Sequence, residues 1–277
     1  KQTLALAKEI NNKQEIIGAL NSMGIHFTEK GDYDHALDYL EQSLSICYEI
    51  HSFKTIIVLN SLFELYFYTN SLEKAQKCLE SMKQFIREHI EYKTSHTFYH
   101  LAKAIMLKKK PQKISHLKAK EILRQIIDEE SPFSGLYYPA LIHLCDTCLT
   151  ILSETNDLKT LDEIQPYLTQ LKFIAKSQKS FWLLVEVYSL QAKLKLITFE
   201  FKEAQRILSQ ALDIAKNYGL NLLAERISME QDKLVNEKSK WEALRKSKAL
   251  MAERIELAHL NDQIVRMLRK RVYLKKA

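Results

Sequence analysis

Leu4-Ala-Leu-Ala-Lys-Glu-Ile10, followed by Leu20-Asn-Ser-Met23, returns as Leu44-Ser-Ile-Cys-Tyr-Glu-Ile50, followed by Leu59-Asn-Ser-Leu62. Glu9-Ile10 maps onto Glu49-Ile50 at an offset of 40, and Leu20-Asn21-Ser22 onto Leu59-Asn60-Ser61 at 39. A period of this length marks a repeat architecture, in which each unit buries its apolar face only against its neighbours.

Within one period, Leu20, Met23, Gly24 and Phe27 form a helical stripe at i, i+3, i+4 and i+7; Ala36, Leu40 and Leu44 form a second after a polar turn. Each unit therefore reads as a helical hairpin. Gly24 and Ala36 are the small residues that two closely approaching helix backbones require. Gly31-Asp32 supplies a left-handed stop and then a helix N-cap. Leu20, Gly24, Phe27, Ala36 and Leu40 stand in the signature places of the tetratricopeptide repeat, which this pattern resembles. The consensus Trp and the closing Pro are missing.

The second unit carries Leu59, Leu62, Phe63, Tyr66, Ala75 and Leu79, with Asn70-Ser71 opening its second helix and Phe63 in the place of the small residue. The third has Phe98, Leu101, Ala102 and Ile105, a longer link through Lys108-Lys-Lys-Pro111, then Ala119 and Leu123. The fourth has Leu141, Leu144, Cys145 and Cys148, then Asn156-Asp157 and Leu161, Leu168 and Leu171, with a kink or early break expected at Pro166. The fifth has Leu190, Ala192 and Leu194, then Ala204, Leu208, Ala211 and Leu212. The marker positions Ala36, Ala75, Ala119, Leu161 and Ala204 step by 39, 44, 42 and 43. These steps resemble the longer hairpins of kinesin light chains, bacterial peptide-sensing regulators and the helical sensor domains of some transcription activators. The resemblance spans roughly residues 1–220 and implies a right-handed superhelix.

Composition agrees. The chain has 277 residues, 46% hydrophobic and 27% charged, with only five Gly and four Pro, where soluble proteins carry roughly 7% and 5% of these two. That scarcity argues against sandwiches, barrels and nucleotide-binding α/β folds, which spend Gly and Pro on turns and phosphate loops. The fold class is all-α: a right-handed α-solenoid of hairpins over residues 1–220, closed by a capping helical segment over 221–277. Because Thr3 to Ile10 matches the second helix of a unit, the chain reads as beginning halfway through a repeat, as though excised from something longer. The longest apolar runs, Thr55 to Asn60 and Leu62 to Tyr68, fall short of a membrane span. With no export signal legible and four cysteines at apolar helical positions, reduced thiols in a cytoplasmic protein are expected.

The net charge of +7 is concentrated at the end, where residues 221–277 carry 14 Lys+Arg against 8 Asp+Glu. Trp241 and Leu244 make one short apolar stripe. Ile255, Ala258, Asp262 and Val265, or alternatively Leu257, Leu260, Ile264 and Leu268, make another. Lys240 to Arg271 runs without Gly or Pro and reads as further helix able to cap the last repeat. Trp241-Glu-Ala-Leu244, Glu253-Arg-Ile-Glu-Leu-Ala258 and Ile264-x-x-Met267 resemble the closing helices of multi-repeat archaeal proteins, in which a small α/β domain often follows. Arg266 to Lys276 holds six basic residues and no acidic one. Nucleic acid, an anionic membrane or an acidic partner would suit it, but cations at a helix C-terminus are also favoured by the helix dipole, the reading preferred here.

Catalytic motifs are missing. Cys145-x-x-Cys148 beside His143 is half a zinc site at most, and its i, i+3 spacing places both thiols on an apolar stripe, so core packing is expected. His96 and His100 share a helix face without a third ligand. No metal, cofactor or small-molecule substrate is expected, and no enzyme activity. What remains is surface. Beside each buried stripe runs a second one that faces the groove of a solenoid: Gly18, Asn21, Ile25 and Thr28; Ile57, Asn60, Glu64 and Phe67; His96, Tyr99, Lys103 and Met106. Asn21, Ile25, Asn60, Glu64, Phe67, Tyr99 and Lys103 are the candidate peptide-binding residues. An Asn side chain offers one acceptor and two donors, enough to hold both backbone groups of a bound peptide residue. The recurrent Asn resembles the peptide-holding asparagines of kinesin light chains; the competing reading is a tolerated polar residue or a bridge between helices. Tyr66 and Phe98 are assigned to the core.

Three functions follow as expectations: a scaffold holding a protein or peptide segment in its groove, a regulatory sensor domain of a larger signalling or transcription protein, and nucleic-acid binding through the basic tail.

Overall fold

The computed structural model describes residues 2–90, 92–131 and 134–269. Among these it contains fifteen α-helices and no strand, an all-α, solenoid-type repeat of hairpins in which the first five helices, and likewise the seventh to twelfth, each pack on the next. The chain divides into two compact units, Lys1–Met106 and Leu107–Ala277.

The first unit comprises α1 (Gln2–Glu9), α2 (Lys13–Lys30), α3 (Tyr33–Glu49), α4 (Thr55–Tyr68), α5 (Leu72–Glu88) and α6 (Lys93–Lys108), whose last residues cross the boundary. Asn12 opens α2, its side chain accepting from the backbone N–H groups of Gln14 and Glu15. Gly31 closes the same helix at φ +79, and Asp32 then caps α3. α2 packs on α3, α3 on α4, α4 on α5, and α2 also lies beside α4. The first helices of successive hairpins are thus neighbours. Gly24 is required where α2 meets α3: a Cβ there would sit 2.5 Å from Leu40 Cγ and 3.2 Å from the Ala36 carbonyl oxygen. Leu20, Leu40, Leu59 and Phe63 are buried in the seams. Each contributes about 1.5–3 kcal/mol, against about 1 kcal/mol for a helix cap. Apolar seams, more than caps, hold the hairpins.

The second unit comprises α7 (Lys113–Glu129), α8 (Tyr137–Thr155), α9 (Lys159–Ser177), α10 (Phe181–Ile197), α11 (Phe201–Asn217), α12 (Asn221–Asn236), α13 (Lys238–Lys246), α14 (Met251–Leu257) and α15 (Leu260–Arg269). From α7 to α12 each helix packs on the next. The expected markers Ala36, Ala75, Ala119, Leu161 and Ala204 are all buried, one on each of α3, α5, α7, α9 and α11.

Several expectations are corrected. Pro166 does not end its helix: α9 runs through it to Ser177, because Pro166 faces solvent while Ile164, Leu168 and Leu171 are anchored in the core. Tyr66 and Phe98 are half-buried rather than core residues; the Lys74 ammonium lies 5.4 Å from the centre of the Tyr66 ring. The stretch from Lys240 is broken into short helices at Lys248 and His259, both in the left-handed region at φ +53 and +50. Asn11, His51, Asn70, Asn156, Lys179 and Phe199 adopt the same conformation at other helix junctions, which is how so many helices coexist with five Gly. Each such residue costs about 1–2 kcal/mol, less for Asn, within what one buried seam residue offsets.

Neither stripe expected in the tail is the observed one. Met251, Ile255, Ala258, Leu260, Gln263, Ile264 and Met267 are buried, and Val265 is exposed. The breaks fold α14 and α15 back onto α8 and α10, the first helices of two hairpins. Of the basic stretch Arg266 to Lys276, residues 270–276 lie outside the described residues. Among the described residues, no helix is long and apolar enough to cross a membrane.

Candidate interaction surface

The seven residues singled out from the sequence all lie in the first unit: Asn21 and Ile25 on α2, Asn60, Glu64 and Phe67 on α4, Tyr99 and Lys103 on α6. α2 and α4 are adjacent, so the two asparagines stand on neighbouring helices. The start of α4 is tied to α2 by Lys54, whose ammonium donates to the Gln14 carbonyl at 2.8 Å, and by Ser52, whose hydroxyl donates to Gln14 Oε1 at 3.0 Å.

The asparagines are more enclosed than surface polar residues, with Asn21 8% and Asn60 5% exposed. Asn60 Nδ2 donates to Glu64 Oε1 at 2.9 Å, one turn along the same helix, so it does not bridge helices through this bond. Asn21 Oδ1 is buried and accepts no hydrogen bond among the described residues. A buried acceptor left without a donor is a cost of about 1–3 kcal/mol, the kind of arrangement a bound donor relieves. Around them Gly18, Ile25, Thr28, Ile57, Glu64 and Phe67 are half-buried. The Phe67 ring stacks on Phe63 with centroids 6.0 Å apart. On α6, Tyr99 and Lys103 pair with each other, the ammonium 5.9 Å from the ring centre. On α2 and α4 the surface is therefore a stripe of aliphatic and aromatic side chains interrupted by one enclosed amide on each helix.

The second unit contains the same stripe in a different condition. Ser189 precedes the buried Ala204 by the same interval that separates Asn21 from Ala36 and Asn60 from Ala75; in that register Glu186 answers to Gly18 and Ile57, and Lys193 to Ile25 and Glu64. All three α10 residues are buried. Gln263 of α15 donates from Nε2 to the Glu186 carboxylate at 2.6 Å and to the Glu186 carbonyl at 3.1 Å, while Ser189 Oγ donates to Gln263 Oε1 at 3.2 Å. Lys193 Nζ donates to the carbonyl of Ala258, the residue that ends α14, at 3.0 Å. Behind this seat Arg226 lies 2.9 Å from Glu186 Oε1, and the single Ser189 hydroxyl proton is shared between Gln263 and the Glu230 carboxylate, 2.8 Å away. Burial lowers the pKa of Lys193, and Glu230, 3.4 Å away, works against that shift.

Sequence reasoning did not find this seat. Its signal is nonetheless present: Glu186 and Lys193 are charges inside FWLLVEVYSLQAKLKLI, a helix apolar on nearly every side, and charges so placed need partners.

The thiols offer no chemistry. Cys145 and Cys148 are fully buried, and burial pushes Cys148 up to about 12 and Cys145 higher than its ordinary value. Cys47 and Cys78 are raised to about 11 by the same cause. Such thiols stay protonated and unreactive at neutral pH. His96 and His100 stand with ring centres 6.5 Å apart. Among the described residues no group of three His, Cys, Asp or Glu is placed to hold a metal ion. Compared with known proteins, the chain matches no protein-family model and no curated protein.

Proposed function

We propose that the chain is a tetratricopeptide-like interaction module of the cytoplasm, without catalytic activity, that holds a segment of another protein on the α2/α4 face of its first unit. The observation that carries this reading is the enclosed, unpartnered acceptor of Asn21 on a half-buried apolar stripe, at the position where the second unit engages its own tail. Asn60, Glu64, Ile25 and Phe67 extend the surface, and Tyr99 and Lys103 are assigned to its margin on α6. The mechanism is shape complementarity with amide capture: aliphatic and aromatic residues supply affinity, and the asparagines fix register.

A peptide array probed with the full chain tests it. Bound peptides lose affinity on Asn21→Ala with Asn60→Ala, each substitution removing a hydrogen bond worth about 0.5–1.5 kcal/mol. An unchanged binding profile rejects the site. Binding through the basic tail is distinguished by its steep salt dependence toward nucleic acid.

A further inference from the structure

Resting on the reading that the α2/α4 stripe is a binding face, we infer that its occupant is an amphipathic α-helix of another protein, carrying a Gln, Lys or Arg near the centre of its apolar face, and not an extended strand. The argument comes from the matching stripe on α10. There the occupant is helical: α14 and α15 supply Ile255, Leu260, Ile264 and Met267 as apolar contacts and set Gln263 against Ser189 and Glu186. From this tail the three α10 positions meet the Gln263 side chain and one helix-terminal carbonyl, rather than a run of backbone groups; their other partners, Arg226 and Glu230, belong to α12.

The first unit offers the same kind of contact. Ile25, Ile57 and Phe67 are apolar, and polar capacity lies with Asn21, Asn60, Glu64 and Thr28, whose hydroxyl donates to the Gly24 carbonyl of its own helix at 2.9 Å. An extended chain presents backbone donors and acceptors continuously along its length. An amphipathic helix satisfies its own backbone and presents side chains at i, i+3, i+4 and i+7, which suits a face with few polar groups.

Charge then selects the polar side chain. Where Lys193 donates to the carbonyl that ends α14, the equivalent positions in the first unit are Ile25 and the carboxylate Glu64. The cationic donor is replaced by an acceptor, and Asn21 adds the enclosed Oδ1. The complementary group on the partner is a donor: the amide of Gln, or the cation of Lys or Arg.

A displayed random library of peptides about 16 residues long, roughly four helical turns, selected on the full-length protein, supplies the probes. Selected peptides are resynthesised and titrated by fluorescence anisotropy against the wild-type chain and the Asn21→Ala/Asn60→Ala variant, with circular dichroism verifying that the variant is folded. Helical spacing with a central Gln, Lys or Arg is expected, with affinity at least tenfold weaker when a mid-peptide residue is replaced by Pro, and at least fivefold weaker for the variant. Peptides that need the asparagines but tolerate the central Pro overturn the helical occupant and leave the binding face standing. Peptides indifferent to the asparagine replacements overturn the binding face itself. Failure to select any peptide overturns both.

Discussion

The α2/α4 face and the α8/α10 face are built from the same element, the first helix of a hairpin, and differ in what lies on them. Among the described residues, α10 packs closely on α9, α11, α12, α14 and α15, whereas α2 packs on α1, α3 and α4, and α4 on α2, α3 and α5. In the second unit the chain's own tail covers the inner stripe, and its charged residues are locked into bonds with that tail. In the first unit the stripe is half-buried, with one acceptor enclosed and unanswered. A repeat architecture therefore does not leave its repeats equally covered.

The largest effect should come from removing the cover. Ending the chain at Lys248 strips away Met251, Ile255, Leu260, Ile264 and Met267, each worth about 1.5–3 kcal/mol of burial. Calorimetry should then show loss of the second unit's cooperative transition, and a hydrophobic dye should bind the uncovered α8/α10 face. A second unit that stays within about 1 kcal/mol of its original stability would show that the tail is not part of its core.

Next in size is the polar seat. Glu186→Ala leaves Arg226 and Gln263 without the carboxylate that both approach, and should destabilise the second unit by about 3 kcal/mol in urea unfolding, the lower end for a broken buried pair because Arg226 is partly exposed. The opposite unit has a purely steric counterpart. Gly24→Ala forces a Cβ to within 2.5 Å of the buried Leu40; the overpacking loss of about 1–3 kcal/mol is partly offset by the gain in helix propensity of about 1 kcal/mol. At the same register in the second unit stands Ala192, fully buried with its methyl group in place.

A pH scan separates the two units by titration. His143 on α8 is enclosed, and burial holds it well below its ordinary value of 6.5, with the positive charge of Lys108 adding to the effect. The unfolded chain therefore takes up a proton below about pH 6.5 that the native state refuses. The favourable difference is complete above that pH and is lost progressively as the pH falls toward the lower native value, by up to about 1.4 kcal/mol per pH unit. Unfolding of His143→Gln compared with wild type at pH 7 and 5.5 should show the slope reduced in the second unit alone. The smallest effect is expected at Asn21→Ala: stability changes by less than about 1 kcal/mol, because the cost of the enclosed, unanswered Oδ1 disappears together with the packing of the side chain. A large loss would mean that Asn21 supports the hairpin instead of awaiting a donor.

Much of the fold is legible in the sequence, for physical reasons that can be located. The spacing from Leu20 to Leu40 sets which helix faces meet. Gly24 marks the closest backbone approach, and the buried alanines recur because every seam has the same geometry. The candidate stripe is legible for the same reason, since a helix with one face buried has its flanking face fixed by the 3.6-residue turn. The enclosure of Asn21 and Asn60 is not, because it depends on how closely α2 and α4 lie and on the ties made by Lys54 and Ser52. The tail is the least legible part. Lys248 and His259 carry no mark of a break, since their left-handed conformations are imposed by where α14 and α15 dock. Gln263 is counted as polar and exposed by any periodicity argument, yet it is fully buried because Glu186 and Ser189 await it.

The sequence by itself determined the helices, their pairing into hairpins and the period of the repeat, because these follow from contacts between residues close along the chain. Only the tertiary structure decided which inner face is filled. That depends on bonds such as Gln263 to Glu186 and Lys193 to Ala258, made between residues more than 60 positions apart, where local patterning carries no information about partners.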